Sequence, residues 1–196
     1  MEKYVYLGII AGIFSAISYV PYIVSIIRKK TIPARATWII WSLLSFTILL
    51  SYQTSGASVT IFLPLADAIG STIVAILSIF YGVGGWTKLD KICLATVALS
   101  LVVWWRFDSS FIALLMNIVV GSTGTLPTIK KVYQYPGSED KTAWSLFFIG
   151  SLFNVLAINH WTWGVAFYPI SLFILIAMIF FLLFLKKENT KGLLNK

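Results

Sequence analysis

The sequence predicts an all-α membrane protein: seven transmembrane helices, arranged as two parallel three-helix repeats joined by a linker helix. Three observations predict it. Of 196 residues, 59% are hydrophobic and only 11% charged, against roughly 25% charged in a soluble domain, so the charged side chains are too few to cover a soluble core. Lys and Arg segregate to alternate loops. Prolines and tryptophans recur at an offset of 106 residues. The apolar content also excludes a disordered chain, and the single cysteine, Cys93, excludes a disulfide-stapled fold.

The apolar runs are long and continuous, as helices in lipid are. They place spans at 4–27, 36–52, 60–82, 91–105, 110–129, 142–158 and 164–185. The first is too long for a signal-peptide core and lacks a cleavage-like small-residue site, so it is expected to be retained. The fourth is the weakest, because its uncharged stretch 92–105 falls short of the roughly 20 residues a span needs. Loop charge supports it. With seven spans, Lys3 and Arg106 fall on one side and the other 13 basic residues on the opposite side; without the fourth, the split becomes 8 against 7. Basic loops stay in the cytoplasm, so the N-terminus is predicted outside and the C-terminus inside, with 186–196 as a cytoplasmic basic tail. The net charge of +8 is then a topology signal, and nucleic acid is not an expected partner. The short loops suggest a bacterial inner (plasma) membrane.

At the 106-residue offset Pro21 falls on Pro127, Ile23 on Ile129, Trp38 on Trp144 and Ser45 on Ser151. Each proline is followed by a basic loop, a Trp-started helix, a charge-free outer turn and a third helix. The repeats are 4–85 and 110–185, with the linker helix at 88–106. Both basic loops must lie in the cytoplasm, so the repeats run parallel. A unit with an odd number of spans inverts its successor, and the fourth span corrects this. Parallel repeats about an axis along the membrane normal are a transporter design with substrate bound between them.

This 3+1+3 plan, with a proline late in the first helix of each triplet, resembles the SWEET, SemiSWEET and PQ-loop (MtN3-like) superfamily over nearly the whole chain. That superfamily includes sugar carriers, Pnu-type vitamin transporters and lysosomal amino-acid exporters, and the KDEL receptor shares its fold. The namesake Pro-Gln dipeptide is Pro21-Tyr22 in the first unit and Pro127-Thr128 in the second. Proline lacks an N–H and clashes with the preceding turn, so each kinks its helix. The resemblance implies that Pro21 and Pro127 act as hinges of an inner gate; a static kink is the plainer reading.

Asp67 is the one acid well inside a span. A carboxylate at membrane depth is costly and is a functional candidate by default. Three roles are open to it: substrate ligand, proton-coupling site, or structural hydrogen-bond partner. The resemblance aligns it approximately with a pocket asparagine of SemiSWEET-type carriers. Asn117 and Asn154 lie in the fifth and sixth spans, where an amide either lines a pocket or ties helices together. The resemblance sets Asn154 at a pocket position that is often aromatic. Tyr168 and Ser171 lie near the repeat equivalent of Asp67, which gives a pseudo-symmetric pocket asymmetric chemistry. Trp41 and Tyr52 are placed to line the central path, on faces that suit sugars and heterocycles but also core packing. Trp38 and Trp144 start cytoplasmic helix ends and read as interface anchors, or as closing elements of an inner gate. Gly8, Gly12 and Ser15, and Gly121 with Gly124, make small faces expected to pack tightly within their own triplets. The glycines at 82, 84 and 85 read as a flexible helix exit, with no phosphate-loop pattern after them.

The exclusions are broad. His160 is the only histidine, so no metal cluster, cofactor or hydrolytic triad is expected, and the chain does not read as an enzyme. The last span has no lysine for a retinal Schiff base. The predicted function is a transporter moving a small polar metabolite, sugar-like or vitamin/nucleoside-like, by alternating access, facilitated or proton-coupled. The alternative is a non-transporting ligand or peptide receptor of the same fold. The expected partners are a small-molecule substrate and the lipid bilayer, and a homo-oligomer is compatible with both readings.

Overall fold

The computed structural model describes residues 2–107, 110–135, 137 and 139–185, apart from the side chains at 89, 104, 107, 110, 113, 126, 127, 130 and 131. The basic tail 186–196 and the side chain of Pro127 lie outside the described residues. Seven α-helices run through the described residues: α1 (Glu2–Ile27), α2 (Arg35–Thr54), α3 (Phe62–Tyr81), α4 (Lys88–Phe107), α5 (Ser110–Gln134), α6 (Lys141–Leu156) and α7 (Trp163–Leu185). Each coincides with one apolar run of the sequence.

Two boundaries move for local reasons. α4 begins before its apolar run because Thr87 and Asp90 cap each other: Thr87 N donates to Asp90 Oδ2 at 2.8 Å, and Asp90 N donates to Thr87 Oγ1 at 3.2 Å. This reciprocal box starts a helix independently of hydropathy. α5 runs past residue 129 to Gln134, since nothing there breaks a helix until Tyr135 meets Pro136. α6 starts on the Asp140 carboxylate, which accepts from Ala143 N at 2.9 Å.

Four helices, α1, α2, α3 and α7, are long and apolar enough to cross a membrane. Leu114–Thr125 within α5, and α6, are shorter apolar helices. Burial is inverted relative to a soluble protein. Ile9, Ile13, Ile17, Val20, Val24 and Ile27 form an exposed apolar face on α1, while Ser15, Ser18 and Ser25 of the same helix are buried. Ser71, Ser78, Ser100, Asn117, Ser151 and Asn154 are also inside. An apolar exterior of this extent matches hydrocarbon rather than water.

The helix contacts fall into a pattern. α3 packs against both α1 and α2, and α7 against both α5 and α6. Between these sets α1 packs on α6 and α2 on α5, while α4 lies against α5 and α2. Gly8 and Gly12 allow α1 to approach the start of α3 closely: a Cβ at Gly8 would fall on the Val59 carbonyl, and one at Gly12 would meet Phe62 Cβ at 2.8 Å. Gly121 and Gly124 depart from expectation. They face Leu44 and Trp41 of α2, so their small face serves the α2–α5 crossing and not packing within one triplet.

Gly82 is likewise not a loose exit. A Cβ there would fall on the Ser78 carbonyl and meet the Pro33 carbonyl at 2.9 Å. The loop before α2 is strapped to this corner. Val83 N donates to Pro33 O and Arg35 N to Val83 O, each at 3.1 Å. The Arg35 guanidinium caps the C-terminus of α3 through Ser78 O at 3.3 Å and Gly82 O at 3.0 Å, a favourable place for a cation.

Candidate functional site

A central cavity lies among α1, α2, α3, α5, α6 and α7, and encloses about 950 Å³ of empty space including its mouth. Among the described residues none of α4 lines it. From α7 it takes Tyr168, Ser171, Leu172, Leu175, Ile176 and Ile179, one helical face running roughly 16 Å along the axis. α1 and α2 supply Tyr19, Tyr22, Trp38 and Trp41; α6 supplies Trp144 and Phe147. The walls are therefore mostly aromatic and aliphatic.

Among the described residues Asp67 is the one charged residue in this wall. It sits in the second turn of α3, at 9% exposure. Its two oxygens are used differently. Oδ1 accepts from Ser15 Oγ at 2.7 Å and from the Tyr19 hydroxyl at 3.3 Å, both on α1. Among the described residues Oδ2 accepts no hydrogen bond. Asp67 thus ties α3 to α1 with one oxygen and leaves the other uncommitted. The Tyr19 ring is held against it by Phe147, at 4.9 Å between centroids, and lies over Gly70, where a Cβ would fall inside the ring.

The other hydroxyls of the wall are largely turned inward. Ser45 donates to Trp41 O at 2.8 Å, Ser71 to Asp67 O at 2.5 Å and Thr125 to Gly121 O at 2.7 Å. Such back-bonds satisfy the proton within the side chain's own helix.

Five of the seven sequence-selected residues meet at this cavity: Asp67, Asn117, Tyr168, Ser171 and Trp41. Asn117 accepts from Ser100 Oγ of α4 at 2.7 Å, and its Nδ2 is buried without a partner. Tyr52 and Asn154 lie outside the cavity wall. Asn154 is fully buried, and neither of its amide atoms has a partner. The Tyr52 hydroxyl donates to Val165 O at 2.7 Å and shares a 2.7 Å bond with Thr60. Pro169 lies inside α7 and has no N–H for the carbonyl four residues earlier. That carbonyl belongs to Val165, so Tyr52 fills the vacancy the proline creates. Pro21 lies within α1, which continues six residues beyond it to Ile27.

A second cavity of about 410 Å³ adjoins the first, sharing Tyr22, Trp38, Trp41 and Trp144 and adding Glu139 and Thr128. Trp38 and Trp144 are buried, at 6% and 7% exposure, so their rings pack inside the bundle and line this cavity rather than facing outward as belt anchors do. Trp144 Nε1 donates to Glu139 Oε2 at 3.2 Å, and Tyr22 and Trp38 line the same cavity. Glu139 escaped the sequence reading because it falls in a loop beside Asp140 and Lys141, where an acid reads as solvated. Ser15 and Tyr19 were more legible: with Ser18, Tyr22 and Ser25 they form a polar stripe at helical spacing on α1. Among the described residues no group of His, Cys, Asp and Glu could hold a metal ion. No family model, curated protein or solved structure matches the chain.

Proposed function

We propose that the chain is a carrier of SWEET- and PQ-loop-like design: seven spans in a 3+1+3 plan, moving a small polar metabolite by alternating access, facilitated or proton-coupled. One observation carries the reading, a contact repeated at the sequence offset. Gly150 packs on Ser15 where α6 meets α1, and Gly121 packs on Leu44 where α5 meets α2. Ser15 and Leu44 are the 106-residue mates of Gly121 and Gly150. The helix order agrees, with the third helix of each set central and the two cross-contacts exchanged by the same operation. Three mate pairs line the one cavity: Tyr19 with Thr125, Trp38 with Trp144, and Trp41 with Phe147. A pocket on the axis between two like units is where such a carrier binds its cargo. α4, outside the wall, suits a linker.

Beside the cavity Tyr52 joins α2 to α7, a bond between the two units that rocking must exchange. In this proposal Pro21 and Pro127 hinge the first helix of each unit. Loop charge puts the N-terminus outside and the C-terminus in the cytoplasm of a bacterial inner membrane. Purified protein in liposomes should take up labelled sugars, vitamins, nucleosides or amines, with saturation and counterflow. Saturable binding without flux would replace the carrier with a receptor of the same fold.

A further inference from the structure

Building on the carrier reading, we infer that the central cavity selects a singly charged organic cation, an amine or quaternary nitrogen on an aromatic or aliphatic body, over a polyhydroxylated sugar. Three features point there. The first is charge: among the described residues Asp67 is the only charged one lining the cavity, with no Lys, Arg or His beside it in the wall. A buried carboxylate with nothing cationic beside it attracts a positive ligand and repels an anion. The free oxygen is Oδ2, since Ser15 and Tyr19 both bond Oδ1.

The second is the walls. Trp38, Trp41 and Trp144 join Tyr19, Tyr22 and Phe147 around the space. Aromatic faces attract cations through the ring quadrupole, tryptophan most strongly. The Trp38 and Trp41 rings stand edge to face at 5.1 Å, so their faces point in different directions, as in a cage.

The third is a shortage. A sugar carries a hydroxyl on most ring carbons, and each needs a partner once buried. Here Ser45, Ser71 and Thr125 spend their protons on their own helices, and Tyr19 on Asp67. Beside Asp67 Oδ2, the lining polar groups without a hydrogen bond among the described residues are Asn117 Nδ2 and the hydroxyls of Tyr22, Tyr168 and Ser171. That set suits one ammonium and a few further polar atoms, and falls short of the partners a polyol needs on every side.

The test uses the full chain in detergent and in liposomes, with labelled benzyltrimethylammonium, tryptamine and phenethylamine as cationic probes. Benzyl alcohol, phenylacetate and glucose serve as neutral, anionic and polyol controls. At least one cation should bind saturably, displaced by the other cations and not by the controls. Asp67→Asn should weaken it by about tenfold or more, the loss of a charge-assisted hydrogen bond. Asp67→Glu should retain most of the binding, which separates lost charge from lost folding. Trp41→Leu should weaken it about 3- to 30-fold, and Trp41→Phe less. If none of the three cations binds, or glucose displaces the bound cation, or Asp67→Asn binds as wild type, the inference is overturned. Saturable glucose flux with no cation flux would keep the carrier and remove the cation preference. Cation binding without flux would do the reverse.

Discussion

Gly70→Ala tests whether Asp67 is held by Tyr19 as described. The added methyl would fall inside the Tyr19 ring. That ring is flanked on two sides: Tyr19 is 5% exposed, with Phe147 at 4.9 Å and Trp38 at 6.5 Å between centroids. Overpacking of this kind costs roughly 1–3 kcal/mol. A displaced ring also loses its 3.3 Å bond to Asp67, roughly 1.5–3 kcal/mol for a charged acceptor. Against this, alanine improves helix propensity by about 1 kcal/mol. The net expectation is a loss of roughly 1.5–5 kcal/mol, or about 3–20 °C for a chain of this size. Thermal unfolding of the detergent-solubilised protein, followed by tryptophan fluorescence, reads it. The decisive control is the same substitution in a Tyr19→Ala background, where the methyl has a vacancy to fill and should cost less than about 0.5 kcal/mol. Equal losses in both backgrounds would refute the packing of Tyr19 over Gly70.

Three more predictions follow from single contacts. Tyr52→Phe strips the Val165 carbonyl and Thr60 of their partner and should cost roughly 1–3 kcal/mol in thermal unfolding; restoring an N–H with Pro169→Ala should recover part of it, because the carbonyl regains a helical bond. Glu139→Ala leaves the Trp144 Nε1 donor facing an empty space and should destabilise by roughly 1–3 kcal/mol, whereas Glu139→Gln, which still accepts, should lose less in the same assay. Gly150→Leu drives a side chain into Ser15 N and Ala11 O of α1, 3.2 and 3.1 Å from its Cβ. It should abolish the folded peak in size-exclusion chromatography, while Gly121→Ala, which meets only the flexible tip of Leu44 at 3.2 Å, should be tolerated.

The helices were legible because hydropathy and loop charge are long-range averages, insensitive to any one residue. The end of α5 was not, because Lys130 and Lys131 look like a loop in a hydropathy scan yet propagate a helix well. The central cavity was partly legible. Asp67 stood out because a carboxylate in an apolar run has few innocent explanations. The partners that hold it did not, since Ser15 and Tyr19 are each common in helices and matter here only through the α1–α3 crossing. Trp38 and Trp144 show the limit in another way. A tryptophan at a helix start reads as an anchor, and only tertiary packing buries it, against α1, α3 and α6 for Trp38 and against α5 and α7 for Trp144. Tyr52 was selected for an aromatic surface and turned out to repair a proline 117 positions away, a relation that no local pattern encodes.

Counterflow in proteoliposomes tests the account most directly. Vesicles preloaded with unlabelled benzyltrimethylammonium, a fixed cation that crosses bilayers poorly, are diluted into a trace of the labelled compound. An alternating-access carrier with Asp67 at its cavity should accumulate label transiently inside, and Asp67→Asn vesicles should not. Saturable binding to wild-type protein with no overshoot would contradict the carrier account.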